Sequence, residues 1–327
     1  MTAMWGHGTM TLESFDEIFL RGGCHVKRVN FFKYHALGND YIVIDPNRNV
    51  IELDRDTIRI ICHRNFGIGS DGILYGPIIE KGLQTLRILN PDGSEAEKSG
   101  NGIRIFSKYL FDSGYVSNSQ VSNEFELQTK GGLVKVNFLD REARLIKVDM
   151  GGVTFMSHEI PVSGASREVV KETLNIKGKN YIMTCVSVGN PHCVILSEAI
   201  SKELACDLGP HIENHSLFPN RINVQFLRSR DKNNIEIEIW ERGAGYTLAS
   251  GSSSCGAASA ARKMGLVDDN VHVHMPGGMI AIDFDENNHV HMTGTVSEVY
   301  EGFYMPCDAE TTQDLIKRMD KMEMKRK

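Results

Sequence analysis

Two serines, Ser99 and Ser250, open Ser-Gly turns that lie 151 positions apart in the chain. Each turn follows a strand-like run and precedes a stretch with helical spacing. Each therefore predicts a helix whose first backbone N–H groups are free to bind an anion such as a carboxylate. Two groups that face each other across one carbon atom are what proton abstraction and re-donation require when a stereocentre is inverted. These residues favour a racemase or epimerase, with a binding protein as the alternative.

The offset of 151 residues recurs along the chain and indicates an internal duplication. Three pairs of segments share it: LGNDYIVID (37–45) with VGNPHCVIL (188–196), LRILN (86–90) with IEIWE (237–241), and SGNGIRIF (99–106) with SGSSSCGA (250–257). Gly114 and Gly265 lie the same distance apart and are placed to end the two helices as C-terminal caps. We expect two structurally equivalent lobes that aim their helix ends at one cleft.

The elements that carry these turns are mostly short strands. Alternation of apolar and polar residues with period two predicts strands at residues 31–36, 41–45, 86–90, 124–129, 132–138, 144–150, 181–189, 192–196, 222–229, 235–240, 271–275, 279–284 and 289–296. Helices are predicted at residues 53–62, after Ser99 and in the Ala-rich stretch after Ser254, and a charged, amphipathic surface helix is predicted from residue 308 onward. The pattern predicts an α/β (α+β) fold.

Composition excludes several classes of protein. A length of 327 residues suggests about two domains. The net charge of −6 gives no support for a nucleic-acid or anionic-membrane partner, and no apolar run reaches the ~18 residues of a spanning helix. Residues 1–28 are predicted to form an extension with a weak amphipathic helix around residues 12–20, and they carry acidic residues where a signal peptide needs apolar ones. Seven irregularly spaced cysteines indicate neither a disulfide framework nor a zinc ribbon. We expect a cytoplasmic protein.

Paired histidines are the pattern that comes nearest to a metal site. His272 with His274, and His289 with His291, share strand faces, but no carboxylate or Cys ligand recurs with them. Polar strand faces are therefore the favoured interpretation. The GIGSDG segment at residues 67–72 lacks the lysine of a phosphate-binding P-loop. We expect neither a metal nor a cofactor.

Eight stretches carry a resemblance to a known family. They are KYHALGNDYIVID, RNFGIGSDG, LRILNPDGSEAEKSGNGIRIF, VSVGNPHCVI, RINVQF, WERGAGYTLASGSSSCGAASA, VHMPGG and VYEGF, which run from about residue 29 to residue 304 in the family's order. The chain resembles the diaminopimelate epimerases, cofactor-independent enzymes of lysine and cell-wall biosynthesis. The resemblance implies two pseudo-symmetric lobes, each a mostly antiparallel sheet wrapped around a central helix. It also implies interconversion of LL- and meso-2,6-diaminopimelate by two-base proton transfer.

The resemblance also implies how the chain is divided. Residues 29–148 together with 293–306 form the first lobe, because the last strands return to it, and residues 149–292 form the second lobe. Residues 1–28 are the N-terminal extension, and residues 307–327 are a charged C-terminal tail. The expected partner is a small amino-acid substrate, diaminopimelate or a similar compound, and a homodimer is left open.

The resemblance assigns roles to individual residues. Ser99 and Ser250 occupy the two proton-transfer positions, and His192 and Glu241 assist them. The substrate-binding residues are Asn39, Asn90, Gly100, Asn101, Asn190, Asn223, Glu241, Arg242, Gly251 and Ser252. Backbone N–H groups at the two helix starts would hold the reacting α-carboxylate, and the Arg242 fork suits a carboxylate. The alternatives are that the asparagines only cap turns and that Arg242 forms an unrelated surface ion pair.

Both proton-transfer positions depart from the family, which has cysteines there. Cys255 does not substitute for Ser250, since five residues along a helix place it roughly 140° around the axis. Four explanations stay open: engineered replacement of both thiols, a natural subgroup that uses serines on another amino acid, a catalytically disabled binding protein, or a partial reaction such as exchange or elimination, as in a dehydratase. Lys98 and Ile105 also differ from the family's usual residues, which favours the natural subgroup.

Overall fold

The fold is that of a computed structural model, which describes residues 28–80, 82–116 and 124–324. The helix expected around residues 12–20 lies outside these residues. The strands of the first half are β1 (Val29–Ala36), β2 (Asn39–Ile44), β3 (Ile73–Glu80), β4 (Leu83–Leu89), β5 (Glu95–Ala96), β6 (Glu124–Thr129), β7 (Gly132–Phe138) and β8 (Leu145–Gly152). The strands of the second half are β9 (Glu172–Ile176), β10 (Lys179–Ser187), β11 (Pro191–Leu196), β12 (Asn223–Ser229), β13 (Asn234–Glu241), β14 (Gly245–Thr247), β15 (Asn270–Met275), β16 (Gly278–Phe284), β17 (His289–Thr295) and β18 (Ser297–Tyr304). The helices are α1 (Arg55–Cys62), α2 (Gly100–Asp112), α3 (Lys202–Glu213), α4 (Gly251–Lys263) and α5 (Ala309–Met324).

The duplication predicted from the sequence is visible element by element. Helices α2 and α4 begin and end 151 positions apart, and each is followed by a glycine with a left-handed backbone, Gly114 at φ 75° and Gly265 at φ 78°. In the first lobe β1 pairs with β2 antiparallel, β2 with β3 parallel, β3 with β4 antiparallel and β4 with β6 parallel. Strands β10, β11, β12, β13 and β15 repeat this order and these directions in the second lobe. The expected α/β fold of two similar lobes is confirmed.

Each lobe's sheet wraps around one helix. Helix α2 packs against β1, β2, β3 and β8, and helix α4 packs against β10 to β13. Apolar side chains of both helices, including Ile103, Phe106 and Ala257, belong to one continuous buried cluster. The two lobes therefore share a core around their central helices.

Two strands near the end of the chain join the lobes. Strand β17 pairs antiparallel with β8, and β18 pairs antiparallel with β1, so the chain returns to the first lobe. Strands β8 and β17 also pair with β7 and β16 of their own lobes. The lobe boundaries near residues 148 and 293 stay a prediction, because both fall inside strands that hold the lobes together.

Helix α5 forms the charged tail that the sequence predicts. It packs on α1, where Met319 is buried and Arg59 donates a hydrogen bond to Asp320 at 2.6 Å. In the three described ranges, no helix combines the length and the apolar character that crossing a membrane requires.

Local patterns missed some elements and misplaced one helix start. They do not reveal α3 or the strands β3, β9 and β18. Helices α1 and α3 end at Cys62 and Glu213, which are 151 positions apart, so the duplication did contain a signal for α3. The Ala-rich pattern after Ser254 places the start of this helix four residues too late, whereas the Ser-Gly turn at residue 250 marks it correctly. Helix α4 begins at Gly251 because the Ser250 side chain accepts the Ser253 N–H and caps the helix.

The left-handed glycine after α4 gives a stability prediction. We expect Gly265→Ala to lower the free energy of unfolding by about 1 kcal/mol, because φ is 78° there and a Cβ disfavours that conformation. Gly152→Ala is the matched control, since Gly152 has open space around it and no left-handed φ, and we expect a change within about 0.5 kcal/mol. Urea unfolding followed by circular dichroism measures both variants, and equal losses would contradict the prediction.

Candidate active site

The N-terminal ends of α2 and α4 touch each other through two glycines. A Cβ built on Gly251 would lie 3.3 Å from the Gly100 Cα and 2.9 Å from the Met292 Sδ. A Cβ on Gly100 would overlap the Met292 side chain. Only residues without a side chain allow this approach, so the glycines place the first amides of both helices in one small region.

Ser99 and Ser250 cap these two helix starts. The Ser99 Oγ accepts the Gly102 N–H at 3.1 Å, and the Ser250 Oγ accepts the Ser253 N–H at 3.4 Å. Both serines have extended backbone, as N-caps do. The structure thus brings the two expected proton-transfer positions to equivalent places at the ends of abutting helices.

Ser250 lies beside a carboxyl group. Glu241, the last residue of β13, is near enough to Ser250 for the serine hydroxyl to influence its pKa. Burial raises the pKa of Glu241, with a smaller contribution from the Asp71 carboxyl, while the hydrogen bond from Ser250 opposes that rise. Burial therefore favours the protonated form of this carboxyl relative to an exposed glutamate.

Ser99 lies beside a phenol that the sequence analysis did not single out. The Tyr41 hydroxyl is 3.3 Å from the Ser99 Oγ, and burial raises the pKa of Tyr41. Tyr41 stands 151 positions before His192, so the offset was the signal that could have found it. Asn90, the counterpart of Glu241 at the same offset, donates its side-chain N–H to the Ser94 Oγ at 2.9 Å.

His192 is buried and both of its ring nitrogens are engaged. The Gln225 amide lies 3.0 Å from Nδ1, and Nε2 lies 2.9 Å from the Asn190 Oδ1. With Gln225 donating to Nδ1, the ring proton is assigned to Nε2 and is donated to Asn190. Burial lowers the pKa of His192 to about 3, the Gln225 hydrogen bond opposes this, and the Arg242 charge adds to it. The hydrogen bond from the neutral imidazole fixes the orientation of the Asn190 side chain. The Asn190 side-chain N–H in turn donates to the Ser252 Oγ at 3.3 Å.

A second polar network supports the start of α2. Buried Arg104 donates to the Asn101 Oδ1 at 2.6 Å, and Asn101 donates to the Asn39 Oδ1 at 3.0 Å. The Asn39 side-chain N–H donates to the Asp71 carboxylate at 2.8 Å, and that carboxylate also accepts a hydrogen bond from Arg64 at 2.7 Å. The Asn39–Asn101 contact is the counterpart of the Asn190–Ser252 contact, so the duplication extends to polar side chains.

Asn223 and Arg242 are joined by the loop that follows β13. Asn223 donates to the Pro191 carbonyl at 2.9 Å and accepts the Arg242 backbone N–H at 3.0 Å. The Arg242 guanidinium donates to the Asn220 carbonyl at 3.4 Å. Asn223 therefore supports its neighbours, as the turn-capping alternative supposed, and it fixes the backbone from which Arg242 extends.

The paired histidines contact polar neighbours. His274 is 2.9 Å from the Asn234 Oδ1, His291 is 3.3 Å from Asp285, and His289 is 3.3 Å from Asp149. In the described part of the chain, no three His, Cys, Asp or Glu side chains group in a way that could hold a metal ion.

Known structures with the same architecture include a hydroxyproline epimerase and a probable proline racemase. A hydroxyproline epimerase from Agrobacterium vitis, solved with trans-4-hydroxy-L-proline, matches with a TM-score of 0.65 at 13% identity, over 87% of this chain and 94% of that one. A probable proline racemase from Agrobacterium radiobacter matches with a TM-score of 0.66 at 14% identity, over 87% and 95% of the two chains. The chain therefore has the duplicated two-lobe fold of these two proteins.

Sequence comparison gives the family within that architecture. The family model for diaminopimelate epimerase matches residues 31–156 and 184–299. A relative from Nostoc sp., named diaminopimelate epimerase 2, is 51% identical over 275 residues, which is 84% of this chain and 95% of the relative. A diaminopimelate epimerase from Moorella thermoacetica is 36% identical over 278 residues, 84% of this chain and 98% of the relative. The chain belongs to the diaminopimelate epimerase family.

The buried imidazole predicts a pH dependence of stability. Because the pKa of His192 is about 3 in the folded chain and about 6.5 in an unfolded one, the unfolded chain binds one more proton between these values. Stability should therefore fall with decreasing pH from about 6.5, by up to about 1.4 kcal/mol per pH unit from this group. We expect His192→Gln to remove that part of the slope in urea unfolding at pH 8, 6, 5 and 4. Parallel curves for both proteins would contradict the prediction.

The contact between the helix ends predicts a coupling to Met292. We expect Gly100→Ala to cost about 1–3 kcal/mol of stability, because the new methyl group overlaps the Met292 side chain. In the background of Met292→Ala the same change should cost at least about 1 kcal/mol less, since the obstructing atoms are gone. A double-mutant cycle by urea unfolding measures this coupling. Strict additivity would show that the methionine does not limit the approach.

Proposed function

We propose that this protein interconverts LL- and meso-2,6-diaminopimelate by proton transfer at the α-carbon. The observation that carries the proposal is the meeting of two serine-capped helix starts, through Gly100 and Gly251, in a chain of the diaminopimelate epimerase family. A substrate carboxylate bound there places its α-carbon beside both serines, on opposite faces.

The helix starts supply the binding site for the reacting carboxylate. The first amides of each helix have no partner within the helix and lie at the positive end of its dipole. The residues proposed to offer these N–H groups are Gly100, Asn101, Gly251 and Ser252. Arg242, held by Asn223, is proposed to bind the distal carboxylate, and the side chains of Asn39, Asn90 and Asn190 to line the cleft.

Serine makes proton abstraction harder than cysteine would. A thiol has a pKa of about 8.5, whereas an alcohol behaves more like water, at about 15.7. The difference of ~7 units corresponds to roughly 10 kcal/mol. Glu241, which the family resemblance assigns to assist the proton-transfer residues, is proposed to accept the Ser250 proton and so to offset part of this cost. We therefore expect slow turnover in this form.

The second candidate is a protein of the same architecture with a different or weaker activity. It would be an epimerase, racemase or dehydratase of another amino acid that uses serines, or a disabled homologue that only binds an amino acid. The observation that favours it is the pair of hydroxyls at both proton-transfer positions, with a tyrosine beside Ser99.

The remaining expectations belong to the same proposal. The family resemblance supports a cytoplasmic reaction without a cofactor, in two lobes formed by residues 29–148 with 293–306 and by residues 149–292. A homodimer is in keeping with the large apolar side chains that β18 exposes, among them Val299, Tyr300 and Phe303.

Restoring two thiols tests the proposed substrate. We expect Ser99→Cys combined with Ser250→Cys to raise the rate of epimerisation of LL-diaminopimelate by at least about a thousandfold. The reason is that the pKa of each proton-transfer group falls by ~7 units when a thiol replaces the alcohol. Chiral chromatography of the product measures the rate, and Ser163→Cys, at an exposed site, controls for the addition of a thiol. Activity of the double variant on another amino acid, with none on diaminopimelate, would contradict the assignment.

A further inference from the structure

We propose that Arg104 is a positioning residue for the reacting carboxylate of the substrate. Its buried guanidinium lies behind the two helix starts, where it acts as the counter-ion of the carboxylate and as the hydrogen-bond donor that orients Asn101. The proposal rests on the proposed function and deepens it, because it names a fixed charge that holds the carboxylate in addition to the backbone amides.

Arg104 carries a charge that the protein leaves without a counter-ion. The side chain is fully buried, and in the three described ranges its Nε and Nη1 atoms have no hydrogen-bond partner and no carboxylate forms an ion pair with it. Buried Lys33, by contrast, forms an ion pair with Asp40. An unpaired charge in the interior costs free energy, so a ligand that brings a negative charge close to it binds more favourably.

The guanidinium keeps its charge near neutral pH. Burial lowers the pKa of Arg104 to about 10, and the interaction with Cys255 opposes that fall. Burial also raises the pKa of Cys255 to about 12, so this thiol stays neutral and does not compensate the guanidinium. The Lys98 ammonium, which also influences Cys255, donates to the Met150 carbonyl at 2.8 Å. Arg104 is therefore a cation whose charge none of these neighbours neutralises.

Strand β17 places this charge next to the contact between the helix starts. Met292 and Gly294 are two residues apart on β17, and both lie on its buried face. Met292 adjoins Gly100 and Gly251, whereas a Cβ built on Gly294 would lie 2.0 Å from the Arg104 Nη1. Positions two residues apart on one strand face are separated by roughly 7 Å. The guanidinium therefore lies about one such step from the glycine contact.

The geometry of α2 directs the Arg104 side chain toward the helix start. Arg104 follows Asn101 by three residues, and side chains of a helix point back toward its N-terminus. Its Nη2 atom donates to the Asn101 Oδ1 at 2.6 Å, and the Asn101 side-chain N–H donates to the Asn39 Oδ1 at 3.0 Å. Arg104 thus orients a residue whose backbone N–H is proposed to bind the carboxylate.

The duplication supplies one such charge for both helix starts. The counterpart of Arg104, 151 positions later, is Cys255 on α4. One lobe therefore contributes a cation and the other a neutral thiol, and a second guanidinium in the equivalent place would repel the first. A single charge matches the single carboxylate that the abutting helix starts are proposed to bind.

The fixed charge acts more strongly during the reaction than before it. When the α-proton passes to a proton-transfer residue, the electron pair of the Cα–H bond stays on the substrate and spreads into the carboxylate. The negative charge near Arg104 therefore grows while the guanidinium stays in place. Because a buried charge is screened little, it stabilises the carbanion more than the bound substrate. We expect Arg104 to affect kcat as well as substrate affinity.

Three variants separate the charge from the hydrogen bond. Arg104→Gln removes the charge and keeps a side-chain donor for Asn101, whereas Arg104→Lys keeps the charge. Lys108→Gln is the matched control, since Lys108 lies one turn further along α2 and pairs with Asp112. Calorimetry with meso-diaminopimelate and the full-length protein measures the dissociation constant. We expect it to rise at least about tenfold in Arg104→Gln and to change less than about threefold in Arg104→Lys and Lys108→Gln.

Turnover is measured in the variant with both Ser99→Cys and Ser250→Cys. In that background we expect Arg104→Gln to lower kcat at least about tenfold and Arg104→Lys to recover most of the loss. A role limited to packing would lower the melting temperature and leave affinity and kcat unchanged. We expect the melting temperature of ligand-free Arg104→Gln to be unchanged or higher, because an unpaired buried charge has been removed. If the glutamine variant does not fold, Arg104→Met, which fills a similar volume without a charge, replaces it in all measurements.

The outcomes separate this inference from the proposed function. Unchanged affinity and unchanged kcat in a folded, neutral variant of Arg104 would overturn the inference and leave the function intact. Equal losses in Arg104→Gln and Arg104→Lys would also overturn it, because the charge would then have no part in binding. If neither the natural protein nor the variant with both cysteines binds or epimerises diaminopimelate, the proposed function is overturned, together with the inference that rests on it.

Discussion

The contact between Gly100 and Gly251 is the constraint on which the rest of the structure depends. Without side chains between them, the positive ends of two helix dipoles come together at one point. Like partial charges repel, so the arrangement is most favourable when an anion lies between the helix starts. This gives a physical reason for a carboxylate ligand that is independent of any relative. The shared apolar core around α2 and α4 holds the two helices in this position.

Serine has opposite effects on stability and on chemistry at these helix starts. Ser99 and Ser250 both accept an amide N–H from their own helix, and such caps stabilise a helix by about 1 kcal/mol. The same hydroxyls are far weaker acids than thiols, so they need a neighbouring base to take part in proton transfer. The structure places a phenol 3.3 Å from the Ser99 Oγ, whereas the Ser250 hydroxyl influences the pKa of the Glu241 carboxyl.

The duplicated backbone has been kept more closely than the polar side chains that it carries. Strand pairing and helix bounds agree between the lobes, and so do the contacts Asn39–Asn101 and Asn190–Ser252. By contrast, buried Arg104, whose pKa burial lowers to about 10, has Cys255 as its counterpart. The duplication is therefore closer in the backbone than in the buried side chains.

The sequence by itself determined the duplication, the two Ser-Gly turns and the family, because caps, glycines and alternating apolar residues act over a few neighbouring positions. It misplaced the start of α4 and missed α3, whose signal lay in the offset rather than in its own pattern. Only the tertiary structure decided that Tyr41 contacts Ser99 and that His192 is engaged by Gln225 and Asn190. Tyr41 lies on β2 whereas Ser99 caps α2, and Gln225 lies on β12 whereas His192 lies on β11, so these contacts exist only once the sheets have closed around the two helices.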